Sequence, residues 1–337
     1  MPGRRWSRRR FLAAAAGIPI GIAGGLQAGA DTTATPGPSP GATRTRVFRP
    51  RRPTVASPDS ARRADFTIDA YRGLGAWVDV FDWSLAYTGG APRIGEAEVA
   101  ALAGRGVRTV FLQTARYDRP EAADDLLEVD RQRAIATAAQ RAGMAVVGWY
   151  LPMHLDANHD TRRALAALRA PWLNGLALDI ESRAEPDPGL RNARLDQLVA
   201  EVRAAAGPRA ALGAIVVPPT TMQDVNAQFW PGFDWAMLAA RLNVFLPMNY
   251  WTNRLADSPW RQAGPSCAEN IARLRAHAGR ADYPVHMVGG IADLVSAAEV
   301  AAMVGAVQAA GALGASLYDL ATTTEDLWAP LGQSLEG

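Results

Sequence analysis

Eight short runs rich in Val, Ile and Leu alternate with helical stretches rich in Ala, Leu and Arg between residues 65 and 337. When strands and helices alternate in series, each helix carries the chain back, so that successive strands lie parallel in one sheet. Eight such units predict an α/β fold, a single closed (β/α)8 barrel, and about 270 residues is a normal length for one. A doubly wound open sheet is the alternative, but it usually has fewer strands and a glycine-rich loop after the first one. Here Gly73 and Gly75 lie at the start of that strand and not after it, which favours the barrel.

The period of the apolar residues, two for a strand and 3.6 for a helix, places the individual elements. The predicted strands cover residues 74–82, 107–115, 145–152, 175–182, 211–218, 243–250, 285–291 and 315–320. The clearest predicted helices cover residues 121–142, 160–168, 192–206, 267–278 and 296–310. Glycines follow several of these helices, as is typical where a left-handed residue stops a helix.

The first thirty residues carry the three parts of an export signal: five arginines within residues 4–10, an apolar stretch to Leu26 and small residues at 28–30. Residues 7–12 match the twin-arginine pattern, which predicts a twin-arginine signal peptide over residues 1–30 and the twin-arginine translocase as an export partner. An ordinary Sec signal is the alternative. The apolar stretch is shorter than the ~20 residues that a spanning helix needs, so we expect no stable membrane anchor. The predicted location is secreted, extracellular or associated with the cell wall.

Residues 31–64 are rich in Pro, Thr, Ser, Gly and Arg and have almost no apolar period. This composition predicts a disordered linker, which leaves residues 65–337 as the barrel domain. Residues 1–64 hold 12 of the 35 basic residues and 2 of the 33 acidic ones, so residues 65–337 keep 23 and 31 and a net charge of −8. A nucleic-acid-binding domain has the opposite sign, and we expect no nucleic-acid partner.

Polar and aromatic residues are concentrated at the carboxyl ends of the predicted strands, where active sites of this architecture lie. These residues are Asp79, Asp82, Trp83, Gln113, Tyr150, His154, Asp179, Glu181, Arg183, Asn249, Tyr250, Trp251, Tyr318 and Asp319. Some would serve as helix caps in any barrel. Their concentration at so many strand ends nevertheless predicts a functional site at this mouth.

The pattern Leu-Ala-Leu-Asp-Ile-Glu over residues 176–181 predicts two carboxylates inside the mouth. Side chains alternate across a strand, so the aliphatic residues share one face while Asp179 and Glu181 share the other. The aliphatic face must pack on the helices, which directs both acids into the barrel. Neighbouring like charges raise one pKa, as a general acid near neutral pH requires. The alternative is that one of them pairs with Arg183 to stabilise the mouth.

The same alternation on the first strand directs Asp79 inward, between Val78 and Val80, and leaves Asp82 at the rim. Asp82 could equally cap the segment that follows. Glycoside hydrolysis needs two carboxyl groups, which are ~5–5.5 Å apart in retaining enzymes and ~6.5–9.5 Å apart in inverting ones. Asp79 or Asp179, paired with Glu181, could supply them. We therefore predict Glu181, Asp179 and Asp79 as catalytic residues.

Aromatic rings at a barrel mouth suit a carbohydrate, because sugar rings stack on flat aromatic faces. Most tryptophans nevertheless pack in cores, and of the ten in this chain only Trp83 and Trp251 are predicted to contact a ligand. The predicted substrate-binding residues are Tyr250, Asn249, Trp251, Gln113, Tyr150, Trp83, Asp82 and Tyr318.

The Asp-x-Glu of the fourth strand resembles the motif of two groups of sugar-cleaving barrels, the chitinase-like glycosidases and the Asp-x-Glu muramidases. The resemblance to chitinases implies that Glu181 is the proton donor and that Asp179 orients the substrate's N-acetyl group. Their sixth-strand Met-x-Tyr is similar to residues 248–250, which implies that Tyr250 contacts the reacting sugar. The first-strand Asp-Val-x-x-Trp of the muramidases is similar to residues 79–83. Two further aspartates of the chitinase motif are Asn174 and Ala177 here, which disfavours chitin as the substrate.

Other chemistries find less support in the residues. His154 and His159 have no further His or Cys nearby, no Gly-x-Ser-x-Gly motif is present, and we expect neither a metal nor a cofactor. The single cysteine, Cys267, excludes an intramolecular disulfide. The predicted function is a secreted glycoside hydrolase-like protein that acts on a poly- or oligosaccharide. The alternative is a barrel that binds carbohydrate or cell wall without catalysis.

Overall fold

The computed structural model describes residues 66–118 and 125–332. Within them eight parallel strands pair in chain order, and the last strand pairs with the first to close a barrel. The strands are β1 (Gly73–Val78), β2 (Val107–Gln113), β3 (Ala145–Tyr150), β4 (Gly175–Ile180), β5 (Leu212–Val216), β6 (Val244–Asn249), β7 (His286–Ile291) and β8 (Gly314–Tyr318). The predicted (β/α)8 fold is confirmed. The predicted signal peptide and linker lie outside the described residues.

Helices separate the strands and form the outer layer. In chain order the α-helices are α1 (Val80–Trp83), α2 (Leu85–Thr88), α3 (Glu96–Ala101), α4 (Val129–Arg141), α5 (Ala157–Arg169), α6 (Pro188–Ala206), α7 (Trp235–Arg241), α8 (Ala263–His277), α9 (Ala297–Ala309) and α10 (Glu325–Gly332). None of the helices within the described ranges has the length and apolarity needed to cross a bilayer.

Several predicted boundaries differ from the observed ones, two of them for a visible reason. β1 ends at Val78, because the Asp79 carboxylate accepts a hydrogen bond from the Phe81 amide (2.7 Å) and thereby caps α1. The helix predicted to end at residue 142 begins only at Val129. Leu127, just before this helix, is not helical; its amide donates a hydrogen bond to the Thr114 carbonyl after the end of β2.

Tyr71 closes the amino end of the barrel from inside. It ends a short 3-10 turn (Ile68–Tyr71), is fully buried, and donates its hydroxyl to the carbonyl of Leu176 at 2.8 Å. Its own carbonyl lies 2.8 Å from Nδ1 of His286, at the start of β7. Phe66, the first described residue, accepts from the Ala211 amide just before β5. The chain therefore enters the barrel domain at its amino end.

Barrel closure depends on a glycine at the start of β8. A Cβ atom on Gly314 would overlap the carbonyl oxygen of Gly73 and would lie 2.6 Å from Nδ1 of His286. Because β1 and β8 pair through Gly73 and Gly314, this position has no room for any side chain.

Aromatic rings fill the middle of the barrel. Trp77 stacks on Phe111 with ring centroids 4.3 Å apart and meets the edge of Trp149 at 5.9 Å. The indole nitrogen of Trp77 donates to the Ser316 hydroxyl (2.8 Å), and Nε2 of His286 lies 3.0 Å from the same oxygen. This layer separates the closed amino end from the carboxyl end, where the predicted site residues gather.

Candidate active site

β4 delivers two carboxylates to the carboxyl end of the barrel. Ala177 lies on the inner face, since a Cβ on its neighbour Gly213 would contact both Ala177 and the ring of Tyr71. Asp179 follows Ala177 at the strand period, and Glu181 lies one residue beyond the end of β4. Both carboxylates are buried, with 0% and 2% of their surface exposed. The alternation predicted for this strand is confirmed.

Arg183, the proposed alternative partner of these acids, packs elsewhere. Its guanidinium lies over the ring of Phe229, 4.6 Å from the centroid. The next acid, Glu185, takes a different arginine and accepts from Arg194 at 2.6 Å.

Asp79 anchors the opposite side of the mouth, at the turn that ends β1. Its Oδ2 accepts a hydrogen bond from the hydroxyl of Tyr318, the last residue of β8, at 2.5 Å. Its Oδ1 accepts from the Phe81 amide. Asp79 is 4% exposed, so this side chain is held by one donor from each of two neighbouring segments.

Asp82 and Asp319 join Asp79 in a buried group of three carboxylates. One oxygen of each lies within 4.8 Å of the others, and none of the three residues is more than 9% exposed. Arg93 forms an ion pair with this group: its Nη2 lies 3.4 Å from Asp82, and its side chain is 68% exposed. Burial, followed by the charges of Asp79 and Asp319, raises the pKa of Asp82 to about 8.

The same three carboxylates form the one group of acidic, His or Cys side chains, among the described residues, that is close enough to share a metal ion. Tyr318 and Arg93 already contact two of them. When no cation lies between them, burial and mutual repulsion of these carboxylates favour the binding of a proton, and they raise the pKa of Asp82.

Of the predicted substrate-binding residues, Tyr318, Asp82 and Tyr250 lie around this group. Tyr318 bonds to Asp79, and its ring centroid is 6.3 Å from that of Tyr250. Gln113 supports the turn from inside, because its Oε1 accepts from the Val80 amide at 3.1 Å. These four side chains are buried, with at most 6% of each exposed.

The other predicted binding residues are fully buried or are directed at the outer helices. Trp83 and Trp251 have no exposed surface, and Trp251 packs under β7 with its indole nitrogen 3.2 Å from Glu299. Asn249 is directed at α8 and accepts from the Ser266 hydroxyl at 2.9 Å. Tyr150 donates to Asp160 of α5 at 2.6 Å. The structure therefore does not bring these four side chains together with the carboxylates.

Several residues near the mouth were given no catalytic or binding role by the sequence, although Asp319 was expected at this end of the barrel. Asp319 is one; its carboxylate also caps the turn of residues 320–322 by accepting from the Thr322 amide. Phe81 and Tyr87 are two more, since both rings are partly exposed and they meet edge to face at 5.8 Å. The guanidinium of Arg116 lies 5.2 Å and 5.0 Å from their centroids. Phe81 lies close to the end of β1 and is partly exposed, whereas Trp83 is buried. This exposure marks Phe81, and not Trp83, as the aromatic residue that a ligand at the mouth can contact.

The exposed large apolar side chains of the domain also lie on the side of the mouth. Every large apolar side chain among the described residues with more than 40% of its surface exposed follows the carboxyl end of a strand. These residues are Leu85, Leu155, Leu190, Val225, Leu255 and Leu294.

No known family profile matches this chain, and no curated protein matches it. Solved structures do. An endo-1,4-β-mannanase from Rhizomucor miehei is 9% identical, with a TM-score of 0.58 over 79% of this chain and 94% of that one. A glycoside hydrolase family 5 enzyme from Prevotella bryantii in complex with a xyloglucan oligosaccharide is 12% identical, with a TM-score of 0.54 over 82% and 99% of the two chains. The spore cortex-lytic enzyme SleL of Bacillus cereus is 11% identical, with a TM-score of 0.54 over 77% and 73%. The barrel is thus similar in fold to glycoside hydrolases, including the chitinase-like kind of barrel expected from the sequence.

Proposed function

We propose that this protein is a glycoside hydrolase that cleaves a poly- or oligosaccharide with carboxylate catalysis at the barrel mouth. The observation that carries the proposal is the meeting of two sets of buried carboxylates at one end of the barrel. Asp179 and Glu181 come from β4, and Asp79 comes from the turn after β1. β1 and β4 are three strands apart around the closed eight-stranded barrel, so a sugar in the mouth would have carboxylates on two sides.

Glycosidic cleavage would proceed by proton transfer and water addition. Glu181 gives its proton to the leaving oxygen as the bond to the anomeric carbon breaks. A carboxylate across the mouth, for which Asp79 is the candidate, stabilises the positive charge that develops on the sugar. Water then adds to the anomeric carbon, and its proton returns to a carboxylate. Asp179 lies beside Glu181 and orients the substrate.

The structural neighbours support this reaction class, because the mannanase, the family 5 enzyme and SleL are all named for the cleavage or lysis of glycan material. Their identity to this chain is 12% or less, so the support concerns the architecture and the position of its active site. The proposal includes export through the twin-arginine pathway, supported by residues 7–12, and it includes cell-wall glycans among the substrates to be tested.

The test is a panel of polysaccharides and peptidoglycan incubated with the wild type and with Glu181→Gln, with released reducing ends as the readout. We expect the variant to lose about 10²- to 10⁴-fold in rate, the usual contribution of a general acid. The control is Glu201→Gln, an exposed glutamate on the outer helix α6, which should hydrolyse at the wild-type rate.

The outcomes separate the alternatives. Release of sugar by the wild type and its loss in Glu181→Gln support the proposal. No release from any glycan, together with measurable binding of one of them by calorimetry, would instead identify a non-catalytic carbohydrate-binding barrel. Equal rates for the wild type and Glu181→Gln would exclude this residue as the proton donor.

A further inference from the structure

Asp82 has no role in the reaction outlined above, yet burial and two neighbouring carboxylates raise its pKa well above the ordinary value. It lies on α1, with Asp79 on the preceding turn and Asp319 after β8. The three carboxylates share a volume in which their oxygens approach within 4.8 Å. Three ionised carboxylates at that spacing, each almost fully buried, repel one another strongly.

Around Asp82 itself the neighbouring negative charges outweigh the positive one. The charged groups that act on Asp82 are Asp79, Asp319 and Arg93. Arg93 is mostly in solvent and its nitrogen is 3.4 Å from the carboxylate, so water screens much of the attraction. The group keeps an excess of negative charge unless it binds a proton.

The hydrogen bonds decide where that proton lies. Both oxygens of Asp79 already accept, one from Tyr318 and one from the Phe81 amide. Asp319 accepts from the amide and the hydroxyl of Thr322. Asp82 brings a carboxylate oxygen within 4.8 Å of one on Asp79, and since both Asp79 oxygens already serve as acceptors, a proton between these two groups belongs to Asp82.

We propose that Asp82 carries a proton at neutral pH and donates it in a hydrogen bond to Asp79, as a positioning residue that holds this carboxylate toward the mouth. Asp79 then receives three donors, from Tyr318, Phe81 and Asp82, and cannot rotate away from Glu181. The catalytic consequence rests on the proposed glycosidase function. The proton itself does not, and it can be measured in a protein that cleaves nothing.

The pH dependence of stability follows from the high pKa of Asp82 in the folded chain, about 8, against an ordinary value of 3.8. Between these values the folded state holds a proton that the unfolded state has lost. The stabilisation is therefore complete below pH 4 and is lost as the pH rises toward 8. In Asp82→Asn this contribution is absent at every pH.

The first experiment compares urea denaturation midpoints of the full chain at pH 5 and pH 8, for the wild type, Asp82→Asn and the exposed control Asp130→Asn. We expect the wild type and the control to lose stability over this range relative to Asp82→Asn. Parallel curves for all three proteins would overturn the proposal, whether or not any glycan is cleaved.

Arg93→Gln is the second variant, and its exposed side chain makes misfolding a small risk. Removing this cation should move the pH midpoint of the stability loss above that of the wild type, because the protonated form of Asp82 is then favoured further. An unchanged midpoint, or a lower one, would contradict the proposed proton.

Activity gives the third readout once a substrate is known. The fall of kcat/KM that belongs to Asp82 should lie near pH 8 in the wild type and be absent in Asp82→Asn, which keeps a donor that does not titrate, while the alkaline limb that belongs to the proton donor Glu181 remains in both proteins. Asp82→Ala has no donor and should be at least about tenfold slower than Asp82→Asn at pH 6, the factor that corresponds to one ordinary hydrogen bond. Equal rates in these two variants would show that Asp82 does not position Asp79.

Discussion

The two ends of this barrel are both polar, but they satisfy their polar groups differently. At the amino end, neutral side chains bond to the backbone: Tyr71 donates to the carbonyl of Leu176, and Asn174 and Asn243 accept from the amides that begin β3 and β5. At the carboxyl end, carboxylates face other carboxylates, with Tyr318 and Arg93 as their partners.

The difference shows which end is built for stability. A buried neutral group that is hydrogen-bonded contributes to folding, whereas a buried charge near like charges destabilises the folded state. Such an arrangement persists where function requires it. The exposed aliphatic side chains at the mouth fit the same division, because exposed leucines do nothing for the stability of the fold. Substitutions at the two ends should therefore separate stability from activity.

The largest expected effect is at Gly314. Gly314→Ala places a methyl group against the Gly73 carbonyl and His286, so β8 cannot pair with β1 and the chain should not yield soluble, cooperatively folding protein. Gly305→Ala is the matched control. It lies within α9 with no atom near its added Cβ, and alanine there should stabilise the helix by about 0.5–1 kcal/mol. A Gly314→Ala protein with wild-type thermal unfolding would refute this account of closure.

Glu181→Gln should have the next largest effect, but on activity and not on stability. Beyond its loss of hydrolysis, the free energy of unfolding should stay equal to that of the wild type or rise, because a buried ionisable group becomes a neutral amide. Urea denaturation of both proteins measures this. A fall in stability of several kcal/mol would mean that Glu181 supports the fold and would remove the contrast between the two ends.

Tyr71→Phe should lower stability by about 1–2 kcal/mol, since it leaves the Leu176 carbonyl without its side-chain donor in a dry interior. The ring remains and no cavity forms, so hydrolysis should be unaffected below the unfolding transition. The check is the denaturation midpoint together with kcat. A change in the pH profile of activity would show that the amino end communicates with the mouth.

Asp319→Asn should have the smallest effect, a shift of the Asp82 midpoint to lower pH by roughly half a unit. The negative charge of Asp319 helps to raise the pKa of Asp82, and asparagine removes it while its oxygen can still cap the turn at Thr322. The pH at which stability falls in the Asp319→Asn chain measures the shift. A shift of this midpoint to higher pH would contradict the proposal that these carboxyl groups share one proton, because the loss of a negative charge should lower the pKa of Asp82.

The sequence could predict what depends on the alternation of side chains along one strand, and it could not predict contacts that form only when β8 pairs with β1. The inward direction of Asp179 follows from the strand period alone, and the structure agrees. Trp83 was misplaced because Asp79 starts a helical turn, so the period changes from 2 to 3.6 before Trp83 is reached. Asp319 was missed as a partner of Asp79, because the contact depends on pairing β8 with β1; the neighbouring contact of Tyr318 with Asp79 spans 239 residues. No local pattern reports such a pairing.

Both limits of the described domain lie at the amino end. Phe66 bonds beside the start of β5, and Gly332 lies next to the carbonyl of Arg105, just before β2. A bead, a surface or a fusion partner joined at either limit would thus be attached to the base of the barrel. Immobilised in this way, the domain would display its mouth to the surrounding medium, and large insoluble material could reach it without passing the point of attachment.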